Sequence, residues 1–227
     1  MRVCILTTSF PLYEGIAVGI HVLEQARHLV KRGVDVDVLA PHHIGAKRRE
    51  IIDGISVRRF RYMWPERWQT LCYGAGIPTN LKSGLSAKLQ LPFLLLALIL
   101  NTLKVAQDSD LIHAHWSITG LAGVIAGKLL GKPVVLMMHG AEIYVLKGNP
   151  VIRFILNQAD YVLCNSSFTQ AKILEIGDPE ACDVISPGVD TKRFRPDVDV
   201  SVFYEREPEI PTHLPLLFAL GKFIERK

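Results

Sequence analysis

MRVCILTTSFPLYEGIAVGIHVLEQARHLVKRGVDVDVLAP, residues 1–41, is the stretch that decides the fold. Its apolar run VCILTT predicts a buried strand, and the segment from Ile20 to Arg32 predicts a helix that ends at Gly33. VDVDVLA predicts a second strand by its alternation. A strand, a helix and a strand in this order form a βαβ unit, which joins two parallel strands.

The same alternation continues along the chain. Residues 62–88, rich in Trp, Tyr, Gly and Pro, predict an irregular surface excursion. Helices are predicted at 89–104, 117–130 and 150–158 and after Ser166. Further strands are predicted at ISVRRF, DLIHAH, KPVVLMM, DYVLCN and CDVIS. These patterns predict an α/β fold, a doubly wound parallel sheet covered by helices on both faces.

The composition indicates which class of protein this chain belongs to. The chain of 227 residues is 49% hydrophobic and 21% charged, as is usual for a globular protein. The net charge of +4 comes from short clusters, and no predicted helix carries a basic stripe, so we expect no nucleic-acid partner. The four cysteines form no C-x-x-C pair, and the N-terminus lacks the pattern of a signal peptide. We therefore expect reduced, buried thiols and a cytoplasmic protein.

The most apolar segment contains an uninterrupted apolar run, Leu91 to Leu100, of ten residues. This run is too short to span a bilayer. We favour an internal helix that covers the sheet. A helix that docks at a membrane surface with the nearby Trp64, Trp68 and Tyr73 is the alternative.

Ligands of doubly wound sheets bind beyond the carboxyl ends of the strands, so the loops there hold the candidate site residues. In the first loop, Gly15 and Gly19 precede a helix whose first turn includes His21. Glycine lets the backbone approach a ligand, and the N–H groups of a helix start favour an anionic oxygen. The pattern is neither G-x-G-x-x-G nor a P-loop, and a loop that needs glycine only to turn explains it equally well.

Histidines end two of the predicted strands. His113 and His115 lie on one face of DLIHAH, next to Trp116. Because no further ligand is placed by spacing, we expect no metal there and favour a role in closing the core, with His115 still able to line a cleft. His139 precedes Gly140 after VVLMM, where an imidazole could hydrogen-bond a hydroxyl or shuttle a proton near neutral pH. An ordinary loop histidine explains that position equally well.

Taken in order, these segments resemble the group 1 glycosyltransferases of GT-B fold, the glycogen-synthase-like retaining family. The likeness covers essentially the whole chain. Its strongest pieces are PGVDTKRFRP, residues 187–196, which is similar to the family's hinge segment, and GKFIERK, residues 221–227, which is similar to the opening of its donor domain.

The resemblance implies a role for several residues. Gly15 and Gly19 match the loop that faces the donor diphosphate, and His139 matches a histidine that contacts the transferring sugar. Lys222 stands where the family usually has arginine and Lys227 at its lysine, and these two cations hold the donor phosphates. Lysine keeps the charge but gives up planar bidentate recognition of phosphate.

Other residues complete the implied cleft, and the resemblance also implies the domains. His21 and His115 line the acceptor side, and Glu142 is near an acidic position of some family members. Residues 1–196 form the acceptor-side domain, 197–214 a linker, and 215–227 the first strand and loop of a truncated donor-binding domain, whose E-x7-E segment is absent.

The implied reaction transfers a sugar from a nucleotide-sugar donor to the hydroxyl of a sugar or lipid-linked acceptor, with retention and without a metal or other cofactor. We expect the fragment alone to be inactive. Two alternatives stay open: a non-catalytic module that binds an acceptor or a partner chain, and another GT-B enzyme such as a sugar-nucleotide epimerase.

Overall fold

A computed structural model describes residues 1–13, 18–74, 76–82, 84–140, 143, 149–192, 194–213 and 215–217. The strands are β1 (Arg2–Leu6), β2 (Asp35–Pro41), β3 (Arg49–Ile52), β4 (Ile55–Phe60), β5 (Leu111–His115), β6 (Val134–Met138), β7 (Tyr161–Cys164) and β8 (Cys182–Val184). The helices are α1 (Ile20–Lys31), α2 (Ile77–Lys82), α3 (Leu85–Val105), α4 (Trp116–Leu130), α5 (Pro150–Gln158), α6 (Ser167–Leu174) and α7 (Ser201–Arg206).

The eight strands form one sheet in the order β3-β4-β2-β1-β5-β6-β7-β8. All neighbouring strands are parallel except β3, which pairs antiparallel with β4 at the edge. The prediction of an α/β doubly wound sheet is confirmed, and the edge hairpin corrects the expectation of a purely parallel one. Its turn is Asp53-Gly54, both at positive φ, a dipeptide that favours tight hairpins.

The strand order reverses at the centre of the sheet. From β1 the chain moves to β2 and β4 on one side, and it then returns to β5, on the other side of β1. Loops that leave the carboxyl ends of β1 and β5 therefore diverge and open a crevice between them, the usual binding place of such sheets.

Apolar side chains fill both faces of the sheet. In β1, Val3, Cys4, Ile5 and Leu6 are all fully or almost fully buried, as expected of a strand covered from both sides. One hydrophobic cluster joins α1 to the sheet, and a second joins the sheet to α3, α4 and α5. The sheet thus separates two cores.

The helix ends follow the sequence signals. The Ser166 hydroxyl accepts a hydrogen bond of 3.2 Å from the Thr169 N–H at the start of α6. Asn149 caps α5 in the same way through the Val151 N–H, at 2.9 Å. Gly131 ends α4 with φ of 63°. These local contacts determine where α5 and α6 begin and where α4 ends.

Helix α3 is longer than the ten-residue apolar run that was predicted to be too short to span a bilayer. It begins at Leu85, and the segment Leu85–Asp108 has 24 residues and contains an 18-residue window with a mean hydropathy of 1.8. Within the described part of the chain, this segment is long and apolar enough to cross a membrane by length and composition. Packing places it in the domain, because Ala87, Leu94 and Leu98 are buried in the core shared with the sheet.

All four cysteines are free, and three of them are buried as predicted. Cys4, Cys72 and Cys164 are buried, whereas Cys182 is partly exposed. The sulfur atoms of Cys164 and Cys182 lie 3.6 Å apart across β7 and β8, a proximity that their separation in sequence did not predict.

The chain divides into a compact unit, Met1–Pro187, and a second unit, Gly188–Lys227. The first ends before residue 196, the predicted end of the acceptor-side domain. Helix α7 lies within the predicted linker, 197–214. Of the predicted start of a donor domain at 215–227, only residues 215–217 are described, so that domain stays a prediction.

We expect Gly127→Ala in α4 to destabilise the protein although alanine favours helices. A Cβ atom at Gly127 would lie 2.4 Å from Val134 Cγ2 and 2.8 Å from the Lys132 carbonyl oxygen. At Gly123 the nearest atom would be 3.4 Å away, so Gly123→Ala should be neutral or stabilise by up to about 1 kcal/mol. Urea unfolding of both variants tests this, and equal stability of the two would contradict the packing of α4 on β6.

Candidate active site

Four histidines and a tryptophan meet at the carboxyl edge of the sheet, in the crevice where the strand order reverses. His113 and His115 belong to β5, and Trp116 begins α4 directly after it. His139 follows β6, and His21 lies in the first turn of α1. Three predicted site residues, His21, His115 and His139, are therefore brought together by β1, β5 and β6.

The imidazoles form a continuous row. Nδ1 of His115 lies 3.0 Å from Nε2 of His139, a hydrogen-bond distance. The His113 and His115 rings stack with centroids 4.6 Å apart, as their shared face predicts. The His21 ring meets the His139 ring edge-on at 5.0 Å. The row runs from exposed His21 through half-buried His139 to buried His115 and His113.

Trp116 closes one side of this row. Its ring centroid lies 4.7 Å from that of His139 and 5.4 Å from that of His21. Its backbone has φ of 69°, a left-handed conformation that is rare for a bulky side chain. The Thr119 hydroxyl donates hydrogen bonds to the carbonyl oxygens of His115 and Trp116 and so braces this turn. Such strain is typical of functional sites.

Burial keeps these histidines uncharged. Desolvation lowers the pKa of His113 to about 4. Desolvation, reinforced by the neighbouring His21 and His113, lowers the pKa of His139 to about 3. The pKa of His115 is lowered well below its usual value, first by desolvation and then by His113, His139 and His21. Proton shuttling by His139 near neutral pH is therefore not supported, and its role as a neutral hydrogen-bonding group is favoured.

The row also indicates where the protons lie. Nε2 of His115 is buried and has no hydrogen-bond partner among the described residues. A proton on its Nδ1 avoids an orphaned N–H group, which folded proteins rarely contain. The Nδ1–H of His115 then donates to Nε2 of His139, so His139 carries its own proton on Nδ1. In this arrangement His139 offers an N–H donor to a ligand.

The backbone of His139 is held by the loop that follows β7. Asn165 Nδ2 donates to the His139 carbonyl oxygen at 3.2 Å, and the Thr169 hydroxyl donates to Asn165 Oδ1 at 2.8 Å. Gly140 has φ of 84°, and a Cβ there would lie 2.9 Å from Thr169 Oγ1. Asn165 and Thr169 were not predicted as site residues, although both follow a predicted strand at the edge where ligands bind.

Gly19 fixes the start of α1 against the first loop. Its φ is 74°, and a Cβ atom there would lie 2.4 Å from the Ser9 carbonyl oxygen and 2.7 Å from Phe10 Cα. Glycine is required here by both conformation and close approach, which places the first turn of α1, with His21, at the crevice.

The remaining predicted site residues, Gly15, Glu142, Lys222 and Lys227, lie outside the described residues. Their roles stay predictions. Within the residues that the structure describes, no group of three or more His, Cys, Asp or Glu side chains is placed to hold a metal ion.

A family model for Glycosyltransferase Family 4 matches residues 18–193, which include His21, His115 and His139. The chain belongs to Glycosyltransferase Family 4. The match begins beside Gly19 and ends within the hinge-like segment, so it includes the strands from β2 to β8 and the whole row of histidines, whereas β1 precedes it. This membership and the sheet topology confirm the resemblance to the N-terminal domain of a group 1 glycosyltransferase.

Two curated relatives agree with the family. The chain is 26% identical over 196 residues to D-inositol 3-phosphate glycosyltransferase 1 of Catenulispora acidiphila, covering 78% of this chain and 42% of that protein. It is 28% identical over 246 residues to the α-maltose-1-phosphate synthase of Mycolicibacterium smegmatis, covering all of this chain and 55% of the other. The chain therefore spans about half the length of the curated relatives it matches.

A solved structure agrees with the fold. Anabaena Alr3699/HepE, in a complex with UDP-glucose, matches with a TM-score of 0.57 at 18% identity, covering 92% of this chain and 50% of that one. At this identity the likeness shows the fold alone. The described sheet has the arrangement of one half of a GT-B enzyme.

We expect the free energy of unfolding to fall as the pH drops from 7 to 5. Since burial lowers the pKa of His113 from 6.5 to about 4, the unfolded chain binds a proton below about pH 6.5 that the folded chain does not. Each such histidine costs about 1.4 kcal/mol of stability per pH unit in this window.

Urea unfolding at both pH values measures this effect. His113→Leu should lose less stability on acidification than the parent chain. The matched control, His28→Leu at an exposed position of α1, should lose as much as the parent. An equal loss of unfolding free energy in all three proteins would show that folding does not lower the pKa of His113.

We also expect Gly19→Ala to destabilise the chain more than Gly33→Ala. Both glycines have positive φ, 74° and 78°, so each alanine should cost about 1–2 kcal/mol of backbone strain. At Gly33 no atom lies within 4 Å of the new Cβ, whereas at Gly19 it would overlap the backbone of Ser9 and Phe10. Chemical denaturation separates the two, and equal losses would refute the close approach at Gly19.

Proposed function

We propose that this chain is the acceptor-side half of a retaining glycosyltransferase, which transfers a sugar from a nucleotide-sugar donor to an acceptor hydroxyl. The observation that carries the proposal is the neutral His139 at the crevice, joined to His115 by a hydrogen bond of 3.0 Å. Membership of Glycosyltransferase Family 4 and the names of both relatives support it.

In this proposal His139 positions the transferring sugar. Its Nδ1–H donates to a sugar hydroxyl, and the low pKa of His139 keeps the imidazole neutral throughout the working pH range. His115 holds the tautomer and the ring plane of His139. His21 and Trp116, both in ring contact with His139, form the wall against which the sugar or the acceptor packs.

The departing diphosphate needs positive charge and N–H donors. In this proposal the amino terminus of α1 supplies oriented N–H groups, and Gly15 and Gly19 belong to the loop that faces the diphosphate. In this proposal Lys222 and Lys227 supply the cations, and Glu142 is an acidic residue of the cleft. Stabilisation of this kind is electrostatic and needs no bound metal.

The donor in this proposal is a nucleotide sugar, and the acceptor is a sugar or a lipid-linked saccharide in the cytoplasm. The complex of Anabaena Alr3699/HepE with UDP-glucose supports the donor class. A D-inositol 3-phosphate glycosyltransferase and an α-maltose-1-phosphate synthase among the relatives differ in their named substrates and products. This difference supports an acceptor site that varies within a common fold.

A second candidate is a module that binds an acceptor or a partner chain without catalysis. Sugar transfer separates this candidate from a transferase, and the nature of the product separates transfer from epimerisation.

Transfer assays with a panel of nucleotide sugars test the proposal. The 227-residue chain alone should show almost no turnover, and transfer should appear when a donor-binding domain follows Lys227 in the same polypeptide. His139→Ala in that active form should lower kcat roughly 10- to 100-fold, the value of one or two hydrogen bonds.

The matched control, His28→Ala at an exposed position of α1, should leave kcat unchanged. The product should keep the anomeric configuration of the donor, as read by NMR. An inverted anomer would refute retention, and a fully active His139→Ala variant would refute the role of that residue.

A further inference from the structure

Helix α3 has two apolar faces, and the domain covers one of them. Ala87, Gln90, Leu94, Leu98, Thr102 and Val105 are buried toward the sheet and α4. Leu85, Leu89, Phe93, Leu96 and Leu100 are each between 49% and 72% exposed. We call these five side chains the apolar stripe. Since each helical residue advances by about 100°, they fall within an arc of about 80°.

Basic residues border the apolar stripe. Lys88 and Lys104 are exposed, and the helical rotation places them at its two opposite edges. Between residues 61 and 107 the sequence contains five lysines or arginines and one acidic residue, Glu66. Glu66 is paired with Arg61, which is one of these five cations, and the next acidic residue is Asp108, just beyond the end of α3. The surroundings of the stripe therefore carry a net positive charge.

Two exposed tryptophans lie in a turn that is tied to α3. Trp64 and Trp68 are 74% and 53% exposed, in the turn that follows β4. Gln90 ties this turn to α3, because its side chain accepts from the Thr70 N–H and donates to the Thr70 hydroxyl, both at 3.1 Å. Exposed tryptophan beside leucine, phenylalanine and lysine is typical of surfaces that enter the headgroup region of a bilayer.

We propose that the apolar stripe with Trp64 and Trp68 docks this domain on the surface of an anionic lipid bilayer, with α3 lying in the membrane plane. Charge complementarity favours this occupant. Two copies of the chain that met through the stripe would bring their cations together, whereas phosphate headgroups would neutralise them. Spanning is disfavoured because the opposite face of α3 is packed in the core. The proposal is independent of the transferase function.

Flotation with lipid vesicles tests the docking and needs no enzymatic activity. The chain should bind to vesicles of equal parts phosphatidylglycerol and phosphatidylcholine. It should bind much less to vesicles of pure phosphatidylcholine. The double variant Leu89→Gln/Phe93→Gln should reduce binding at least tenfold, since each large apolar side chain contributes that much when buried. The matched control, Leu129→Gln/Phe168→Gln at positions 68% and 53% exposed, should bind like the parent chain.

Charge variants test the electrostatic part of the proposal. Lys88→Gln/Lys104→Gln should weaken binding to the anionic vesicles roughly fivefold for each cation removed, and added salt should reproduce the loss. Lys31→Gln/Lys47→Gln, which removes two exposed lysines elsewhere, should have a smaller effect. Circular dichroism of each variant confirms that it is folded.

Three results would overturn the proposal. The first is binding that the stripe variants leave unchanged. The second is sedimentation as a dimer that Leu89→Gln/Phe93→Gln dissociates, in the absence of vesicle binding, which would assign the stripe to a second copy of the chain. The third is retention in vesicles after an alkaline carbonate wash, which would show that the helix spans the bilayer.

Discussion

The position of β1 in the middle of the sheet is the constraint on which the rest of this structure depends. β1 has parallel neighbours on both sides, and its residues are buried on both faces. Because the chain leaves β1 in one direction and β5 in the other, no helix can cover the carboxyl ends of both strands. The crevice that holds the histidine row follows from this topology, whatever side chains occupy it.

The chemistry of the crevice depends on the burial of its imidazoles. Four imidazoles in contact would repel each other if they were charged. Desolvation lowers the pKa of these imidazoles, so they stay uncharged near neutral pH and do not repel each other. A neutral row has one further property, which is that each ring can both accept and donate a hydrogen bond. The proton on His115 thereby decides whether Nδ1 of His139 donates or accepts, so a buried strand residue sets the tautomer of the half-buried His139.

The sequence predicted the strands and helices of the sheet well because their signals are local. Continuous apolar runs, Ser166 at a helix start and Gly131 at a helix end all act within a few residues. The site residues were predicted in part, since the rule that ligands bind at the carboxyl ends of strands pointed to His21, His115 and His139. Asn165 and Thr169 were missed because their role depends on packing against the His139 backbone, which no local pattern records.

Helix α3 shows why hydropathy alone could not decide its environment. A largely apolar helix is compatible with burial in a protein, with spanning a membrane and with docking on a membrane surface. In this structure the sheet covers only one face of α3. Topology adds a further consequence. Because α3 returns the chain from the carboxyl edge to the start of β5, its amino-terminal end lies at the carboxyl edge, as does Tyr73, which bonds the Pro41 carbonyl oxygen at the end of β2. The amino-terminal end of the apolar stripe therefore lies toward the same edge of the sheet as His139, and its other end lies toward the opposite edge.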